Sequence, residues 1–83
     1  MKDVVIAINN LCTGTEAKIL LSLLLCEPEE TSTKSMLMMT GITKPNNYFR
    51  TRKHLLDIGY LTIDESGMHV NTDKILADCP LDK

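Results

Sequence analysis

One stretch sets the terms for the whole chain: Gly14-Thr15-Glu16-Ala17-Lys18-Ile19-Leu20-Leu21-Ser22-Leu23-Leu24-Leu25-Cys26. Thr13 and Glu16 before it match a T-x-x-E capping box, in which Thr13 accepts from the Glu16 amide and Glu16 reaches back. A helix is therefore expected from Gly14 to about Cys26, and Pro28 stops it. Ala17, Leu20, Leu21 and Leu24 form an ordinary core face, yet Ile19, Leu23 and Leu25 are apolar on the other sides. A helix that is apolar all round has to be covered on more than one flank. The cover comes from residues 2–11 or from a second subunit. With 83 residues there is room for a single domain and one core. Compactness scaling gives such a domain a radius of gyration of roughly 12 Å.

Residues 2–11 are apolar at Val4, Val5, Ile8 and Leu11, which suits one helix face, although the β-branched content keeps a strand open. A loop over 27–32 leads to a short helix from about 33 to 40, capped by Ser32 or Thr33 and ended by Gly41. Met36, Leu37 and Thr40 share its inner face, while Met38 and Met39 point elsewhere. Thr43 is the expected N-cap of a longer helix, 44–58, with Pro45 in its first turn and Gly59 as its stop. Residues 60–63 read as a strand, 64–67 as a turn and 68–71 as the returning strand. Thr72-Asp73 is placed to cap a last helix, 73–78, before Pro80. The fold class is mainly α with a small β-hairpin.

Charge is distributed unevenly. Between Thr31 and Leu56 lie Lys34, Lys44, Arg50, Arg52 and Lys53 and no Asp or Glu, giving +5. The remainder holds four cations against eleven anions, so the chain as a whole is at −2. A cationic segment on an acidic body is suited to a polyanion.

Other chemistries lack their residues. His54 and His69 stand at no metal-ligand spacing with a cysteine. The glycines form no phosphate loop, and no Ser, His and Asp grouping points to a nucleophile. No enzyme, cofactor, metal site or small-molecule substrate is expected. Cys12, Cys26 and Cys79 are an odd, scattered set, expected as reduced, inert thiols. The longest apolar run, Ile19 to Cys26, is broken by Ser22 and falls far short of a membrane span. With no signal-peptide pattern at the start, a cytoplasmic protein is expected.

The run Met36-Leu37-Met38-Met39-Thr40-Gly41-Ile42-Thr43, followed by Leu55-Leu56-Asp57-Ile58-Gly59-Tyr60-Leu61, resembles the winged helix-turn-helix family. The likeness covers about residues 13–71 and looks closest to small bacterial or phage-type regulators and replication accessory proteins. It implies one winged-helix domain over 1–83, with 1–12 as an extension and 72–83 as a tail. It also implies sequence-specific binding of double-stranded DNA, with helix 44–58 in the major groove.

On that helix Tyr48, Leu55, Leu56 and Gly59 fall on an inner arc. Asn46, Asn47, Arg50, Lys53, His54 and Asp57 fall outside. Asn reads adenine and Arg reads guanine, while Lys34, Lys44 and Lys53 suit phosphates. The hydroxyls of Thr43 and Thr33 add neutral phosphate contacts. The implied DNA-binding set is Lys34, Thr43, Lys44, Asn46, Asn47, Arg50, Lys53 and His54.

Two positions depart from the family pattern. Arg52 stands in the inner arc, where it snorkels to the edge, or else the helix is rotated and Arg52 replaces Lys53 as a contact. The hairpin tip is acidic, Asp64-Glu65, so it is not expected to insert into DNA; His69 and Asn71 are the hairpin residues suited to phosphate. A single recognition helix reads few base pairs, and apolar surface at 4–11, 19–25 and Met38-Met39 is in surplus, so a homodimer is expected. The alternative is a winged-helix docking module that binds protein rather than DNA.

Overall fold

The computed structural model describes residues 2–12, 14–26 and 32–79. Thr13 of the expected capping box, Pro28 and Pro80 lie outside them. The order is α1 (Lys2–Leu11), α2 (Gly14–Leu25), α3 (Thr33–Thr40), α4 (Pro45–Ile58), β1 (Leu61–Asp64), β2 (Gly67–Val70) and α5 (Thr72–Asp78). The described part is thus mainly helical with one two-stranded antiparallel hairpin. Its radius of gyration is 12.2 Å.

Residues 2–11 are helical throughout, because Val4, Ala7 and Ile8 at i, i+3 and i+4 all find cover. That cover is α2 on one side and α5 on the other. The segments expected as an extension and a tail therefore supply core: Ile75 of α5 is fully buried, as are Ala7 and Ile8.

The uniformly apolar α2 is the central element, packed by α1, α3, α4 and β2. Its deepest residues are Ile19, Leu20 and Leu23. Ala17, Leu21 and Leu24, expected on the core face, are only half-buried. With apolar side chains on every side, neighbours rather than periodicity choose the inward face. Leu25 is left 89 % exposed.

The joint between α3 and α4 is tightly closed. Ser32 caps α3 by accepting from the Ser35 amide. Gly41 ends α3 at φ 72°, left-handed backbone that favours glycine. Thr40 is buried, and its hydroxyl donates to the Met36 carbonyl at 2.7 Å while accepting from the Ile42 amide at 3.3 Å.

The N-cap of α4 is Lys44, not Thr43 as expected, and no side chain caps it. Pro45 is the cause: its ring forces the preceding residue into extended backbone, and Lys44 sits at φ −109°, ψ 107°. The helix consequently begins at Pro45 rather than at 44. It stops at Gly59, φ 90°, whose amide donates to the Leu55 and Leu56 carbonyls.

The strands are displaced one residue from the expected 60–63 and 68–71. Leu61 pairs with Val70, Thr62 with His69, Ile63 with Met68 and Asp64 with Gly67. Leu61 and Met68 are buried beneath the hairpin. The final helix starts at Thr72 because Asn71, not Thr72 or Asp73, is its cap. The Asn71 side chain accepts from the Lys74 amide and donates to the Gly59 carbonyl at 3.0 Å.

Candidate nucleic-acid interface

The inner arc of α4 is where the sequence puts it. Tyr48 and Leu55 are fully buried, Leu56 is half-buried, and Asn46, Asn47, Arg50, Lys53, His54 and Asp57 are exposed. The helix is therefore not rotated, and Lys53 keeps its outward place. Arg52 lies half-buried between the two arcs. Its guanidinium carbon stands 5.3 Å from the Phe49 ring centroid and 5.8 Å from that of Tyr48. Arg52 Nε and the Tyr48 hydroxyl are both buried without a well-formed hydrogen bond. Burial raises the Tyr48 pKa, and the Arg52 charge opposes that rise.

Outside the core, α2 and α4 enclose a polar groove made of two adjoining depressions. One, about 270 Å³, is lined by Thr15, Lys18, Gly41, Ile42, Thr43, Lys44 and Asn47. The other, about 490 Å³, is lined by Thr15, Glu16, Asn47, Arg50, Thr51 and His54. They meet at Thr15 and Asn47. Asn47, Arg50, Thr51 and His54 share this groove because positions three and four apart fall on one helix face.

Of the eight residues implied as DNA-binding, the groove brings together Thr43, Lys44, Asn47, Arg50 and His54. Lys34, Asn46 and Lys53 are exposed but line neither depression. Lys53 Nζ is 3.3 Å from Asp57 Oδ2, an ion pair one turn along the helix. His54 Nε2 lies 3.4 Å from Glu16 Oε2, so this histidine leans on α2. Among the described residues, no carboxylate pairs with Lys18, Lys44 or Arg50.

Sequence reasoning missed Thr15 and Lys18. Both stand outside the cationic segment, and only the packing of α2 on α4 carries them to the groove. No local spacing announces such a pair.

The two hairpin residues suited to phosphate are otherwise engaged. Asn71 caps α5. His69 Nε2 lies 3.0 Å from Asp64 Oδ1 and 3.0 Å from Ser66 Oγ. The Ser66 hydroxyl and amide also donate to Asp64 Oδ1, at 2.7 and 2.9 Å. These donors, Ser66 first and His69 after it, hold the Asp64 pKa down at about 2. The cluster is no catalytic triad: His69 meets both partners through one nitrogen and cannot relay a proton between them.

Among the described residues no group of three or more His, Cys, Asp or Glu could hold a metal ion, and no helix is long and apolar enough to cross a membrane. Burial, with Glu16 adding to it, pushes the Cys12 thiol up to about 11, so it is not a thiolate at neutral pH. A separate, wholly apolar depression of about 240 Å³ lies between α1 and α2, lined by Val5, Leu21, Leu24 and Leu25. Comparison of the chain with protein-family models, with curated proteins and with solved structures finds no match.

Proposed function

We propose that this chain is a non-catalytic winged helix-turn-helix protein that binds double-stranded DNA sequence-specifically in the cytoplasm, as a transcriptional regulator or replication accessory protein. In this reading α3 and α4 are the helix-turn-helix, α4 enters the major groove, and the hairpin is the wing. One observation carries it: Lys44, Asn47 and Arg50 line one groove, and neither cation has a carboxylate partner among the described residues. Arg50 and Asn47 supply base-edge donors and acceptors, and Lys44 a phosphate contact. The acidic, self-bonded wing tip stays off the duplex.

The protein acts as a homodimer on a two-fold site. The apolar depression of α1 and α2, with Leu25 almost fully exposed in its lining, is the surface that supports this pairing. Light scattering at micromolar concentration checks the dimer. A single 9.3 kDa species, with and without DNA, would remove it.

The test of the DNA reading is anisotropy on labelled duplexes across a salt series. Affinity is expected to fall steeply with salt, with a slope equal to several released counterions. Lys44→Ala and Arg50→Ala should each weaken it. Absence of duplex binding at low salt, or indifference to both substitutions, would favour a docking module instead. Met38 at 75 % exposure and the apolar depression are the features such a module would use.

A further inference from the structure

We propose that the smaller depression, where the start of α2 meets the α3–α4 turn, is a phosphate-binding site with Lys18 and Lys44 as its two cations. It grips a DNA backbone phosphate beside the bases that α4 reads, and so rests on the DNA reading above.

Lys18 comes from α2 and Lys44 from the residue that enters α4, yet both line one depression of about 270 Å³. Two exposed cations on the rim of one depression give it a positive potential that favours an anion seated between them. Among the described residues, no Asp or Glu lines this depression. Neither lysine has an ion-pair partner among the described residues, whereas Lys53 and Lys74 are held by Asp57 and Asp78. Glu16, the acid that the groove has among the described residues, lines the neighbouring depression and is 3.4 Å from His54 there.

The other polar side chains present are Thr15, Thr43 and Asn47, which donate from hydroxyls and an amide. Such a set meets several oxygens of one tetrahedral anion, and lysine serves as a point charge for phosphate. Asn47 borders both depressions, so a phosphate seated here lies next to the Arg50 side of the groove. A contact of this kind fixes where α4 sits along the duplex and carries no base information of its own.

The experiment is a salt series on duplexes with the whole chain and four variants, Arg50→Ala among them. Lys18→Gln should lower affinity several-fold on every duplex and reduce the slope of log K against log salt by about 0.9, one phosphate. The ranking of sequences should not change. Lys18→Arg, which keeps the charge, should keep the slope. Lys2→Gln removes an exposed cation outside the groove and should leave affinity and slope as they were. Circular dichroism confirms that each variant folds.

An unchanged slope for Lys18→Gln, beside lost binding in Arg50→Ala, overturns this site and leaves the role of α4 standing. A changed sequence ranking also overturns it, because Lys18 would then read bases. Failure of the unaltered chain to bind any duplex at low salt overturns both.

Discussion

The α2–α4 groove and the hairpin tip are both exposed and polar, and they differ in how their charges are used. At the tip, Asp64 is bonded to the Ser66 hydroxyl, the Ser66 amide and His69. In the groove, Lys18, Lys44 and Arg50 have no carboxylate partner among the described residues. A charge satisfied by its neighbours shapes the chain locally, and an outside ligand must break those bonds to recruit it. A charge without such neighbours keeps its hydrogen-bonding capacity for something external. The same division runs through the core. The Tyr60 hydroxyl donates to Asp78 at 2.7 Å, whereas the Tyr48 hydroxyl is buried without a well-formed bond.

The sharpest test of the contrast sets Arg50 against the tip. Arg50→Ala should cost duplex binding about 1–3 kcal/mol, the range for one bidentate arginine contact, and relax preference at a guanine. Glu65→Gln, at the exposed tip, should change affinity by about twofold or less. A larger effect at the tip than in the groove would break the comparison.

In the core, Tyr60→Phe should destabilise by about 1 kcal/mol through the lost bond to Asp78. Tyr48→Phe should change stability by less than about 0.5 kcal/mol in either direction, because the hydroxyl it removes gains little where it is. Chemical denaturation of the two variants in parallel separates them, and equal losses would contradict the assignment.

Alkaline pH addresses Tyr60 again, together with the half-buried Cys12. Burial and then the Asp78 bond raise the Tyr60 pKa from 10.0 to about 12, and burial raises that of Cys12 from 9.0 to about 11. Both groups are neutral in the fold at neutral pH, and both ionise more easily when unfolded. Their stabilisation is fully present below about pH 9 and is lost as pH rises from there to about 12. The melting temperature should decline over that window, and a flat profile would argue against it.

The smallest effect is expected at the hairpin in acid. The Asp64 pKa is lowered from 3.8 to about 2, so the tip is intact above about pH 4 and loosens as pH falls from there to 2. Hairpin amide resonances should shift in that range while those of the buried Ile19, Leu20 and Leu23 in α2 stay put. Asp64→Asn should abolish the shift.

Much of the fold was legible because it rests on short-range sterics. Gly41, Gly59 and Pro45 mark the ends of α3 and α4, since left-handed backbone and a missing amide admit few other residues. The inner arc through Tyr48 and Leu55 followed from helical spacing. The misreadings share a different origin. Thr43 looks like a better cap than Lys44 until the clash with the Pro45 ring is counted. Asn71 caps α5 in preference to Thr72 because it also ties down the Gly59 carbonyl, a partner twelve positions away. The inward face of α2 was illegible because an all-round apolar helix has no preferred direction of its own. At the candidate site, α4 was readable and Lys18 was not, since tertiary packing alone carries it there.

The hydroxyl of Thr40 has a mechanical consequence. By bonding at once to the last turn of α3 and to the residue that leaves it, Thr40 works as a rivet at the elbow between two rods. Those two bonds fix the path of the chain out of α3 as far as Ile42, three residues short of α4, and so contribute to the angle at which α4 projects. An extra residue spliced in after Gly41 would unseat the rivet and change that angle, even with every groove side chain retained.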